Sequence, residues 1–208
     1  MPDLAEKLRF AAARVAQDNP AFAALSSAFV MRLQRAGAGL SAPSVGEVLP
    51  PFLLPDTSGR LRGLAELAGA TTVVVFLRGH WCSFCTAHAE ALLASVDQFR
   101  ARNAHLVLIT PERSCYAAVF EDPRITVLCD MDSGYAASLG LAVAMDPIMA
   151  DHLRNTMGDD VEMFNGSGWV LPMPVVFVLD GRGVVHARFL DPDYRTRASV
   201  KEILAALP

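Results

Sequence analysis

Cys82 and Cys85, three positions apart, are the residues of this chain best equipped to do chemistry. They follow a continuous apolar run in "VVVFLRGHWCSFCTAH" (73–88) and open a segment with helical patterning. In the first turn of a helix, positions i and i+3 share a face, close enough to close a short disulfide ring. The helix N-terminus adds unpartnered N–H groups and the positive end of the macrodipole, which favour a thiolate over a thiol. Dithiol redox chemistry is therefore the leading reading. Half of a metal site and a pair of inert core thiols are the alternatives. A closed zinc site takes four ligands, usually as two close pairs. Cys115 and Cys129 stand fourteen apart with no second C-x-x-C, so no metal is expected.

The flanking residues suggest supporting roles. Arg78, at the end of the apolar run, could lower a thiol pKa, or be an exposed strand-end charge. Gly79 lets the chain leave the strand sharply. His80 could relay protons, or be a solvent-facing loop residue, and Trp81 can shield the pair from water. His88 lies one turn beyond Cys85 on the same helical face; it could tune that thiolate, or be a hydrogen-bonded, partly buried histidine. Pro174 directly precedes the strand-like run of "LPMPVVFVLD". A cis Met173–Pro174 bond would give that proline a purpose, exposing a backbone edge beside the dithiol; an ordinary trans proline is the alternative. Cys129, in an apolar strand, reads as an inert core thiol, and Cys115 as a candidate second resolving thiol. Met145, Met149, Met157 and Met163 around His152 suggest a flexible apolar contact surface.

The elements that must position these residues read in three parts. Residues 1–40 carry two helical stripes, with Asn19-Pro20 as N-cap and first helical position of the second. This extension would cover a sheet edge or core face, or make a homodimer. From residue 41 to 208 the rhythm is α/β. "FLLPDTSGRLRGLAEL" is a strand, a turn and a helix start; "TTVVVFL" (71–77) is a strand buried on both faces. A helix over about 83–102, a strand at 105–110, a helical segment at 112–120, a strand at 125–130 and a short helix near 133–139 follow. Residues 141–171 break the rhythm as a helical insertion, with Asp146 and Pro147 as its cap and first position. Two strands over 175–190, joined at Asp180-Gly181-Arg182-Gly183, and a helix over about 195–207 close the pattern.

Composition narrows the function. The 208 residues carry a net charge of −4, with 52% hydrophobic and 19% charged residues, a globular balance. Arginines are scattered, with no basic run that would suggest nucleic acid as partner. No apolar run reaches the roughly 18–20 residues that cross a bilayer, and "MPDLAEKLRF" lacks a signal-peptide apolar region. A cytoplasmic location is expected, where thiols are kept reduced.

The motif set resembles the thioredoxin-like superfamily and, within it, the peroxiredoxin-like branch of the alkyl hydroperoxide reductase/thiol-specific antioxidant family. "LPPFLLPDTSG", "FLRGHWCSFC" and "LPMPVVFVLD" occur in the family's order, "DPDYRTRA" (191–198) looks familial, and the resemblance spans about 45–207. It implies a thioredoxin-like fold, a central mixed sheet flanked by helices. It also implies a thiol peroxidase without cofactor, reduced by thioredoxin, glutaredoxin or a small thiol. Aligned on Cys85, Cys82 replaces the hydroxyl that typical peroxiredoxins use to orient peroxide, and Arg78 stands at their proline position. Their activating arginine falls near Pro174 here, so Arg78 is expected to supply the positive charge. A general thiol–disulfide reductase and a thioredoxin-like binding module are the competing functions.

Overall fold

The chain's structure is a computed structural model that describes residues 3–158, 160–166 and 168–208. At its centre lies β3 (Thr71–Phe76), the "TTVVVF" run. On one side it pairs in parallel with β4 (Ala104–Thr110), which pairs in parallel with β5 (Thr126–Cys129). On the other it pairs antiparallel with β8 (Val175–Leu179), followed antiparallel by β9 (Val185–Leu190). This mixed five-stranded sheet, order β5-β4-β3-β8-β9, is the thioredoxin-like core.

The alternation of a strand explains why β3 is apolar at every position from Val73 to Phe76. Val73, Val75 and Leu77 face one layer, with Phe29, Phe84, Cys85, Leu92 and Phe99. Val74 and Phe76 face the other, with Leu49, Tyr135, Phe177 and Leu179. Both faces are covered, which is why Val73 to Phe76 run apolar without alternation. The first layer holds α3 (Ser83–Ala94), α4 (Val96–Arg100), α9 (Val200–Ala205) and the helices α1 (Leu4–Asp18) and α2 (Pro20–Arg35). Asp3 caps α1 through Glu6 N–H, and Asn19 caps α2 through Phe22 N–H at 3.0 Å, with Pro20 at the first helical position. α2 buries Phe22, Phe29, Val30 and Leu33 against the dithiol's own layer.

Several boundaries differ from the sequence reading. A two-stranded ribbon, β1 (Leu53–Pro55) with β2 (Leu61–Gly63), stands where one strand is expected. The helix expected over 83–102 breaks at Ser95 into α3 and α4. The region after β4 holds one α-turn, α5 (Ser114–Ala117), and a 3-10 turn, and after β5 comes α6 (Gly134–Ser138). Residues 141–171 contain β6 (Ala142–Ala144), α7 (Pro147–His152), a π-helical turn to Met157, α8 (Val161–Asn165) and the first residues of β7 (Val170–Pro172), which pairs with β6. Met145 and Met149 are buried there, so the expected methionine contact surface is a piece of core; only Met163 is exposed, and the Met157 side chain lies outside the described residues.

The last helix starts at Val200 rather than near 195. Asp191 and Asp193 accept hydrogen bonds from the N–H groups two residues on, so 191–198 satisfies its backbone locally instead of helically. Ser199 and Glu202 then form a capping box. The Met173–Pro174 bond is trans, contrary to expectation. The chain runs from β7 straight into β8 with Met173 N–H on the Leu141 carbonyl at 2.7 Å, leaving no tight turn for a cis bond to serve. Phe177 fills the second layer completely. Phe177→Ala is expected to cost about 3–5 kcal/mol of unfolding free energy, measured by urea denaturation with an unchanged m-value.

Candidate active site

β3 delivers the chain to Arg78, and Gly79 turns it. The Gly79 φ is +134°, and a Cβ there would lie about 2.5 Å from Trp81 Nε1, so only glycine fits. Cys82 is the N-cap of α3, and its carbonyl accepts from Cys85 N–H at 2.8 Å and Thr86 N–H at 3.0 Å. Cys85 therefore sits in the first turn, facing back toward the end of β3.

Two donors converge on the Cys85 sulfur. The Arg78 backbone N–H and the Arg197 guanidinium each stand 3.3 Å from Sγ. Cys85 is fully buried, and burial alone would push its thiol up. The hydrogen bond from Cys82, the Arg197 charge, the Arg78 N–H and the Arg78 charge outweigh it and hold Cys85 well below the ordinary thiol value. Cys82 moves the opposite way, raised by its hydrogen bond to Cys85, by burial and by the neighbouring negative charge. The opposite directions favour the thiolate on Cys85 over one on Cys82.

Arg78 is not the exposed strand-end charge that one reading allowed. It is 3% exposed, its guanidinium stacked 4.1 Å from the Tyr194 ring centroid and 5.0 Å from that of Trp81. Nor is it the guanidinium that touches sulfur. That is Arg197, which sequence reasoning missed, because the residue lies in the irregular 191–198 loop where no periodicity points inward. Its Nε is fixed on the Tyr194 carbonyl at 2.8 Å, and its Nη1 is buried with no hydrogen-bond partner among the described residues. The only signal was its place within "DPDYRTRA".

His88 is 1% exposed, and among the described residues neither ring nitrogen has a hydrogen-bond partner. The hydrogen-bonded, partly buried histidine is thus corrected to a buried, unpartnered one. Burial, then the Arg197 charge, pull its pKa down to about 3, so the ring is neutral. With Pro174, Arg188 and Arg197 it lines a cavity of about 330 Å³. Trp81, half-buried, lines a smaller cavity of about 50 Å³ with Arg78, Cys82 and Tyr194.

His80 is engaged elsewhere. Its Nδ1 pairs with the fully buried Glu112 carboxylate, which also accepts from His80 N–H at 3.1 Å and Thr110 Oγ1 at 2.9 Å. The ring stacks on Tyr116 and meets Phe164 edge-on. His80 is therefore no free loop side chain, and Glu112 is a second residue that the sequence did not mark. Cys129 is buried, its pKa raised by burial to about 11, as an inert thiol would be; Cys115 is exposed on α5.

A profile of the AhpC/TSA family matches residues 45–188. No curated protein sequence matches the chain. Among solved structures, peroxidoxin BcpB from Mycobacterium tuberculosis is 20% identical over 79% of this chain and 96% of its own, with TM-score 0.59. Reduced Prx3 from Vibrio vulnificus is 19% identical over 78% and 97%, TM-score 0.61. The reduced 2-Cys peroxiredoxin from Plasmodium vivax is 15% identical over 78% and 79%, TM-score 0.58. At these identities the likeness is one of fold.

Two outcomes check the electrostatics. Arg197→Met should raise the Cys85 pKa and slow its alkylation by iodoacetamide at pH 7 about tenfold, followed by mass spectrometry. His88 has a folded pKa below its unfolded value, so the unfolded state binds the extra proton. Stability is lost as pH falls from about 6.5 toward 3. Between pH 7 and 5 this group should cost about 2 kcal/mol in urea titrations, and His88→Leu should abolish that share.

Proposed function

The chain belongs to the AhpC/TSA family of thiol-dependent peroxide reductases, and from that premise we propose that Cys85 is the attacking thiolate and Cys82 the resolving thiol. The observation that carries this reading is the pair of donors on one sulfur, Arg78 N–H and Arg197, both at 3.3 Å from Cys85 Sγ. A nucleophile must be deprotonated at neutral pH, and of the two sulfurs only Cys85 has the compensation for it.

The cycle follows from that asymmetry. Cys85–S⁻ attacks the terminal oxygen of the peroxide; the S–O bond forms, the O–O bond breaks, and the departing alkoxide or hydroxide takes up a proton. Arg197, beside the sulfur, stabilises charge as it moves from sulfur to oxygen. Cys82 caps the helix whose first turn holds Cys85, and both thiols are buried side by side. The Cys82 sulfur attacks the sulfenic acid, its proton leaves with the hydroxyl as water, and a Cys82–Cys85 disulfide results. Two electrons from a thiol reductant restore the dithiol. No metal or organic cofactor enters these steps, and a reducing, cytoplasmic setting suits them.

His88 and Trp81 bound the site, and Pro174 walls the cavity behind Arg197. His80 supports the turn through Glu112 rather than relaying protons at sulfur. A general thiol–disulfide reductase would use the same pair with Cys82 attacking first. The high pKa direction of Cys82 and its 5% exposure weigh against that order.

The test is a sulfenic-acid trap. Reduced wild type, Cys82→Ser and Cys85→Ser are treated with one equivalent of hydrogen peroxide and dimedone, then mapped by mass spectrometry. Cys82→Ser should carry the adduct on Cys85, Cys85→Ser should carry little, and wild type should show the disulfide. An adduct confined to Cys82 would reverse the roles.

A further inference from the structure

We propose that the α1–α2 hairpin selects the electron donor: Val15 and Phe22 roof Cys82, so the oxidised pair is reduced by low-molecular-weight thiols and not by protein dithiols. This rests on the dithiol cycle above and names the class of reductant that can enter it.

The argument begins with which sulfur a reductant must attack. Cys85 is fully buried and is the better leaving group, because its thiolate is the stabilised one. The incoming thiolate RS⁻ therefore attacks Cys82 Sγ, forming an RS–Cys82 mixed disulfide and releasing Cys85–S⁻ to Arg197. A second thiol displaces Cys82, yielding RSSR and the dithiol, so two thiols supply the two electrons. Every step needs access to Cys82.

That access is narrow. Val15 from α1, Phe22 from α2 and Leu153 from the insertion line, with Trp81 and Tyr194, the cavity of about 50 Å³ that reaches Cys82, itself only 5% exposed. This admits the CH2–SH end of a small thiol. A protein dithiol carries its nucleophile on a folded surface, with backbone on either side, and must bring that surface against the target sulfur. Phe22 and Val15 occupy the space it would need.

The roof is fastened along its length. The Asn19 amide at the α1–α2 corner bonds His152 Nε2 at 2.9 Å, and the Phe22 ring stacks on His152 at 5.8 Å. Tyr194 Oη, at the wall of the same cavity, donates to Ser26 Oγ at 3.0 Å in a buried contact. Lys7 pairs with Glu90 on α3, and Arg32 donates to the Ala144 carbonyl. Buried Phe29, Val30 and Leu33 root α2 in the main core, so the hairpin is fixed rather than loosely appended.

The experiment uses full-length protein oxidised with diamide to the Cys82–Cys85 disulfide, which makes the reductant test independent of peroxide chemistry. Re-reduction is timed by acid quench and alkylation, with 2-mercaptoethanol or with a thioredoxin kept reduced by its reductase. Wild type should be reduced by the small thiol, and by thioredoxin about tenfold or more slowly at equal thiol concentration. Phe22→Ala should raise the thioredoxin rate about tenfold and the small-thiol rate less than threefold. Val15→Ala, on the half-buried face of α1, repeats the test with less strain on the core, and Phe22→Leu, which keeps the roof, should behave as wild type. Rapid reduction of wild type by thioredoxin overturns the proposal, as does a ratio that neither alanine variant changes. If peroxide forms no disulfide while diamide does, the peroxidase reading fails and the reductant inference is still decided.

Discussion

A negative charge on a sulfur removed from water is the constraint around which this structure is arranged. An ionised group inside a protein costs several kcal/mol unless donors and a counter-charge surround it. Cys85 meets that requirement with two parts from its own stretch of chain and one from far along the sequence. β3 ends so that Arg78 N–H points at the sulfur, α3 begins beneath it, and the 191–198 loop brings Arg197 to its other side. Together with Cys82 they outweigh the burial that would otherwise raise the thiol. The loop's irregularity follows from the same demand. Asp191 and Asp193 hold it out of helical form, and Ser199 delays the helix until Arg197 has passed the sulfur.

The turn between strand and dithiol is fixed from the other side by a second buried charge. Glu112 receives the His80 backbone N–H, the His80 ring and the Thr110 hydroxyl, so residues 79–81 are tied to the end of β4. Arg78 then spans the gap between turn and loop, its cation sandwiched by Trp81 and Tyr194. A guanidinium between two aromatic faces keeps its charge near the thiolate without competing for the sulfur's lone pairs. The division of labour is clear: Arg197 contacts the sulfur, and Arg78 supplies field and backbone.

How much of this was legible in the sequence depended on whether a residue's role was local. The strand–turn–dithiol–helix unit is contiguous, so the apolar run, Gly79 and the C-x-x-C spacing reveal it. The sheet follows because continuous β-branched runs mark strands covered on both faces. Arg197 was hidden because its contact spans 112 residues and its loop has no period. Glu112 was hidden because an acidic residue after a proline reads as a surface turn, and only the β4 end brings it under His80. The trans Pro174 and the shortened last helix were misread for one reason. Proline and helix propensity are weak preferences, and here specific hydrogen bonds decide the backbone, from Met173 N–H to Leu141 before β8 and from the Asp191 and Asp193 side chains locally before α9.

The roof over Cys82 links the fold to the chemistry that a sulfenic acid requires. Once formed, that group either condenses with a thiol or meets a second oxidant and passes to the sulfinic acid, which thiols do not reverse. Under the proposed roles the resolving thiol, Cys82, caps the helix in whose first turn Cys85 sits, so the two are neighbours before oxidation begins. Enclosure by Val15, Phe22 and Leu153 reduces the chance that a second molecule arrives first. Burial of Cys85 raises the cost of its thiolate, and Arg197 and the Arg78 amide offset that cost. A shielded dithiol and a strongly compensated thiolate are therefore one adaptation: with the roof and without the donors the sulfur would be protected but inert.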